Sequence, residues 1–132
     1  MFKKLLILVL ILVAVALACM PLLTTRMADQ AFARPDDPMA GDMLHKAIRI
    51  KVFMLNYGEA GRLAEKGVVY FPESPHLPMF LFIAAKAAEK TGNPAAAIHW
   101  YTRFLELYPR HEWTDQAKGY LEKLKGMNGT ES

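Results

Sequence analysis

Four histidines (His45, His76, His99 and His111), two serines (Ser74 and Ser132) and one cysteine (Cys19) are the groups in this 132-residue chain that could ligate a metal or attack a substrate. Their neighbours do not equip them for it. The segment HEWTD opens like the helical HExxH zinc motif but carries Asp115 where the second imidazole is needed, and the other histidines lie on separate segments. Ser74 falls in the turn-forming stretch ESPHLP and Ser132 ends the chain, neither inside a GxSxG elbow. Asp36 and Asp37 are adjacent carboxylates in a proline-rich stretch where no pocket would tune their acidity. GEAGR lacks the spacing and the preceding strand of a phosphate-cradling loop. The chain is therefore expected to be no enzyme and to carry no metal or cofactor.

A different chemistry is legible in residues four apart. His45, Arg49 and Phe53 form one such row, and Phe82, Lys86 and Lys90 a second; Trp113, Gln116 and Tyr120 would extend them. On helices, each row shares one face, and aromatics beside basic groups suit an extended or helical peptide with an acidic end. The alternative is that Phe53, Phe82 and Trp113 are core and the basic groups merely solvated, since spacing alone does not orient a helix. The formal charge of +3 carries no nucleic-acid signal: Lys3, Lys4, Arg26 and Asp29 contribute +2 of it, leaving the remainder near +1.

The elements that would position these rows follow a long apolar start. Residues 5–23 contain no charge and as a helix span roughly 28 Å, close to the thickness of a bilayer's hydrocarbon core. Lys3 and Lys4 precede the run, so the positive-inside rule keeps this end in the cytoplasm and exports the rest. Three fates stay open for residues 1–33: a retained signal anchor; a lipoprotein signal, since VALAC resembles a lipobox with Cys19 as lipidation candidate; or cleavage after the A-x-A-like segment 31–33. Cys19 has no second cysteine to pair with, so the exported part must be held by packing.

Residues 34–41, rich in proline and aspartate, read as a linker. Beyond them every long segment has helical periodicity and none alternates like a strand. Five helices are expected. The first covers 42–57, capped by Asp42 and stopped at Asn56-Tyr57-Gly58. The second covers 59–70 and ends before Pro72, the third covers 77–90, the fourth starts at the Asn93 cap and closes at Pro109, and the fifth covers 112–125. Residues 126–132 read as a flexible tail.

Helices two and four both carry small residues early and end on an aromatic and a proline, Phe71-Pro72 and Tyr108-Pro109, with 37 residues between the prolines. Helix–turn–helix units at such a period signal a solenoid. The chain here resembles the tetratricopeptide repeat (TPR) family. The second unit supplies Leu81, Ala84, Ala85, Ala88, Ala97, Tyr101 and Pro109 at the family's spacings, the first Leu44, Ala47, Ile48, Ala60, Ala64 and Pro72, with Lys51 where an aromatic is wanted. The period is longer than the family's usual ~34, the excess lying in ESPHLP. The aromatic-proline turns are similar to those of bacterial outer-membrane assembly lipoproteins and Tol–Pal-associated periplasmic proteins.

The resemblance implies an all-α fold: a short TPR-like α-solenoid over 42–125, two helix pairs plus a capping helix, behind the N-terminal hydrophobic anchor helix. It also implies a role in protein–protein interaction, as a membrane-tethered adaptor whose C-terminal domain lies in the periplasm of a bacterial cell envelope and takes a protein or peptide in a concave groove. The alternative is a homo-oligomeric spacer without a groove. The paired asparagines with which some members clamp a C-terminal carboxylate are missing, so that specificity is not expected.

Overall fold

The computed structural model describes residues 1–129 and, among them, six helices and no strand: α1 (Phe2–Ala33), α2 (Ala40–Phe53), α3 (Tyr57–Tyr70), α4 (Leu77–Lys90), α5 (Pro94–Leu107) and α6 (Thr114–Gly129). Short turns join them, so successive helices run antiparallel, and each packs chiefly on the helix before it and the helix after it.

The boundaries repeat with a period of 37 residues. The starts of α2, α4 and α6 fall at 40, 77 and 114, the starts of α3 and α5 at 57 and 94, and the ends of α1, α3 and α5 at 33, 70 and 107. The three closing residues share one backbone conformation, Arg34 (φ −131, ψ 67), Phe71 (φ −130, ψ 56) and Tyr108 (φ −129, ψ 67), and each precedes a proline, which disfavours helix in the residue before it. The end of α1 is thus a third copy of a closing seen twice in the sequence analysis, with Pro35 in the place of Pro72 and Pro109.

That finding corrects the expected linker. Residues 34–39 form a tight turn, with the Asp37 N–H donating to the Arg34 carbonyl (3.1 Å) and the Asp37 carboxylate accepting from the Met39 N–H (2.9 Å). α1 continues through Pro21 as one helix. Its last third buries Thr24, Ala28 and Ala31 against the domain, and Phe32 lies 5.1 Å from the Tyr70 ring and 6.3 Å from that of Phe71. Asp42 sits in the first turn of α2 rather than at its cap, where its charge still favours the helix N-terminus. The stop expected around Gly58 comes earlier: Leu55 takes the left-handed conformation (φ 59), and Asn56 caps α3 by accepting from the Glu59 N–H. Asn93 caps α5 in the same way, with Pro94 at its first position. α6 runs on through Gly129, past the expected end at Lys125, and residues 130–132 of the expected tail lie outside the described residues.

Two hydrophobic clusters share α4. Phe80 and Ala84 join Leu44, Ile48, Leu63 and the end of α1, while Leu81, Phe82 and Ala85 join Tyr101, Phe104 and Leu121. α3 lies close against α4 at Gly61, where an added Cβ would stand 2.6 Å from that of Ala87. A Gly61→Ala change should therefore destabilise the protein: overpacking costs about 1–3 kcal/mol, against ~1 kcal/mol gained from helix propensity. Gly119, mid-α6 with open space around it, should gain about 0.5–1 kcal/mol from the same substitution. Denaturant midpoints of the two variants, measured in one detergent, are expected to move in opposite directions.

Candidate peptide-binding groove

α2 presents Arg49 and Phe53 as an exposed ridge with a groove on either side. On one side α2 contributes His45, Ile48 and Val52, α4 contributes Met79 and Ile83, and Trp113 closes the far wall, enclosing about 500 Å³. The lining is apolar apart from His45 and the Arg49 rim. On the other side Met20 and Met27 of α1 face Lys46 and Ile50 across about 400 Å³.

The structure brings His45, Arg49 and Phe53 together on one groove as the spacing of four implies. It separates the second row. Phe82 is packed inside the second cluster, with ring centroids 5.9 Å from Tyr101, 5.8 Å from Phe104 and 5.2 Å from Trp113, so it is core and not a groove wall. Lys86 lies with its ammonium 3.9 Å from the centre of the Tyr120 ring, a cation–π contact, and Gln116 donates to the Tyr120 hydroxyl (3.3 Å). Lys90 is exposed at the end of α4. The reason is rotational: on α4 the groove-facing line runs through Met79 and Ile83, and Phe82 lies on the neighbouring line that meets α5 and α6. Met79, Ile83, Ile48 and Val52 went unread as site residues because apolar residues at helical spacing read first as core. Cys19 is exposed on the apolar face of α1.

A chain of polar groups borders the groove. His76 directs Nε2 at the Asp42 carboxylate (2.5 Å), its Nδ1 is 3.3 Å from Nδ1 of His45, and its backbone N–H donates to Ser74 Oγ (3.1 Å). His76 thus stands between the Asp42 carboxylate and the His45 ring, and Nε2 of His45 is buried without a hydrogen-bond partner among the described residues. The His45 pKa is lowered, first by burial and then by the charges of His76 and Arg49 and, more weakly, Lys46, against a smaller opposing effect of Asp42. His45 thus enters the groove as a neutral group, and Arg49 supplies the positive charge. Lys51 is 3% exposed, and its charge acts on Glu59. Among the described residues no three histidine, cysteine or carboxylate groups are placed to hold a metal ion.

No protein-family model, curated protein or solved structure matches this chain.

Because the folded-state pKa of His45 lies below its ordinary value of 6.5, the unfolded chain binds the proton more readily. The stability that neutral His45 contributes is whole above pH 6.5 and is lost as the pH falls through the lowered folded value. His45→Asn, which keeps a polar group near Nδ1 and does not titrate, should flatten the decline of the unfolding midpoint between about pH 7 and pH 5 relative to the parent chain.

Proposed function

We propose that this chain is a membrane-anchored adaptor that holds a segment of another protein in the groove between α2 and α4. The groove itself carries the reading: about 500 Å³ lined by Ile48, Val52, Met79, Ile83 and Trp113, with one cation at its rim, fits a short segment presenting apolar anchors and an acidic side chain. The absence of a catalytic set among the sequence motifs favours binding over chemistry, because function must be argued from a site.

In this reading the domain is a short TPR-like stack, with α2–α3 and α4–α5 as the pairs and α6 as the cap. The 37-residue recurrence of helix boundaries and the burial of Ala60, Ala64, Ala97 and Tyr101 at the small and aromatic positions support it. The first helices of the pairs then line the groove. α1 is 32 residues long with mean hydropathy 3.1 in its most apolar window, enough to cross a membrane, and the lysines before it favour an exported domain. In a bacterial envelope the domain would then lie in the periplasm.

Burial also bears on the N-terminus. A retained anchor, or a chain starting at a lipidated Cys19, keeps Ala28, Ala31 and Phe32 in the first cluster, whereas a chain starting at Arg34 loses all three. The intact mass of the mature protein is expected to match one of the first two forms, and a product starting at Arg34 would count against the assembled α1. Groove binding is checked by a photo-crosslinking residue at Ile83 in native membranes. One discrete protein adduct is expected, retained with the crosslinker at Ile83 and Gly119→Ala, and reduced at least about tenfold by Trp113→Ala, the cost of losing a single buried anchor. Adducts only to lipid or to the chain itself would sink the reading.

A further inference from the structure

Two of the three most exposed large apolar side chains beyond α1 lie side by side at the α2–α3 corner; the third, Val69, stands at the other end of α3. Phe53 ends α2 at 81% exposure, and Leu55 follows in the turn at 75%. Leu55 also holds a left-handed backbone (φ 59), a conformation that is costly for a bulky residue and that glycine or asparagine would adopt more cheaply at a turn facing water. The turn is well formed around it, with the Leu55 N–H donating to the Val52 carbonyl and the Asn56 N–H to that of Lys51, both at 2.9 Å. An apolar side chain is thus held outward, at a backbone cost, with nothing of this chain covering it.

Its height relative to α1 is set by the antiparallel pairing of α1 with α2. One groove contains Gln30, Ala31, Ala40 and Met43, and the next contains Met20, Met27, Lys46 and Phe53. Equal seven-residue steps on the two helices align Met27 with Lys46 and Met20 with Phe53, and put Arg49 near Thr24. Counting a hydrocarbon core of ~30 Å as about 20 helical residues from Leu5, the far boundary falls near Thr24. Phe53 then lies ~6 Å inside that boundary, within the ~5–10 Å at which interfacial apolar side chains bury. Arg49 stands at the boundary and Lys46 just above it. Glu59, the carboxylate closest to this corner in sequence, is paired with Arg62 (2.9 Å).

We propose that the α2–α3 corner is a second membrane contact: Phe53 and Leu55 enter the headgroup–acyl boundary of the leaflet from which α1 emerges, and Arg49 and Lys46 meet its anionic phosphates. The proposal rests on α1 being inserted, and is continuous with it, because Met20 of α1 and Phe53 share one apolar groove. Phe53 then has a lipid side and a groove side, and Arg49 divides them.

The test uses the full chain with Cys19→Ser, reconstituted in nanodiscs containing lipids with a quencher near the headgroup or deep in the acyl layer, and an environment-sensitive dye at one introduced cysteine. The positions are Leu55→Cys at the corner, Val69→Cys at the opposite end of α3 and equally exposed at 75%, and Leu12→Cys within the apolar run. In discs with anionic lipid, the dye at 55 should be quenched from the headgroup level at least about twofold more than the dye at 69, and Phe53→Ser should shrink the difference. Arg49→Gln with Lys46→Gln, or zwitterionic discs, should weaken it further; no effect of either would overturn the phosphate contacts. Deep quenching at 12 with 55 behaving like 69 would overturn the second contact while leaving the anchor intact. No quenching at 12 would overturn both.

Discussion

The double burial of α4 is the constraint on which the rest of the domain depends. Its buried residues divide between the two clusters, Met79, Phe80 and Ala84 in the first and Leu81, Phe82, Ala85 and Ala88 in the second, with Val68, Trp100 and Trp113 packed against both, so neither half of the domain has a complete core without it. Alanines at 84, 85, 87 and 88 let both neighbours approach, and glycines at 61 and 67 on α3 make room for Ala87 and Phe80. A single helix pair could not bury a stripe this wide, which is why the chain repeats the unit instead of ending after one. The same arrangement opens the groove: α4 turns its third line, Met79 and Ile83, toward α2 without filling the space between them.

Much of this was legible in the sequence. Helix three, the Asn93–Pro94 start and the closings at Pro72 and Pro109 were read where they occur, because capping and proline chemistry act within a few residues. The repeat was recognised twice and missed a third time at Pro35. Pro35-Asp36-Asp37-Pro38 has the composition of a linker, and the apolar run before it drew the end of α1 into an anchor. The period of 37 contained the missing signal, since Pro35 precedes Pro72 by that distance.

The site was half legible for a rotational reason. His45, Arg49 and Phe53 lie on the outward line of α2, and spacing alone identified them. Phe82 takes the place of His45 in the second unit, 37 residues on, but the rings of Tyr101, Phe104, Trp113 and Tyr120 from α5, α6 and the turn between them enclose it, whereas His45 meets only the His76 ring. The same spacing of four thus gives a groove rim in the first unit and, at Phe82, core in the second. The Asp42–His76–His45 chain could not be read at all, because it joins α2 to the start of α4 through tertiary contact.

α1 passes from its apolar stretch into the first cluster as one helix, so no loose linker separates the two. A globule on a floppy strand sweeps a hemisphere and meets ligands from any direction. In the proposed anchored form the groove would instead hold its altitude and compass bearing over the lipid plane, turning chiefly as the whole helix turns. A binding partner embedded in the same sheet would search for it in two dimensions, while one arriving from bulk solvent would have to come in edge-on, low above the headgroups.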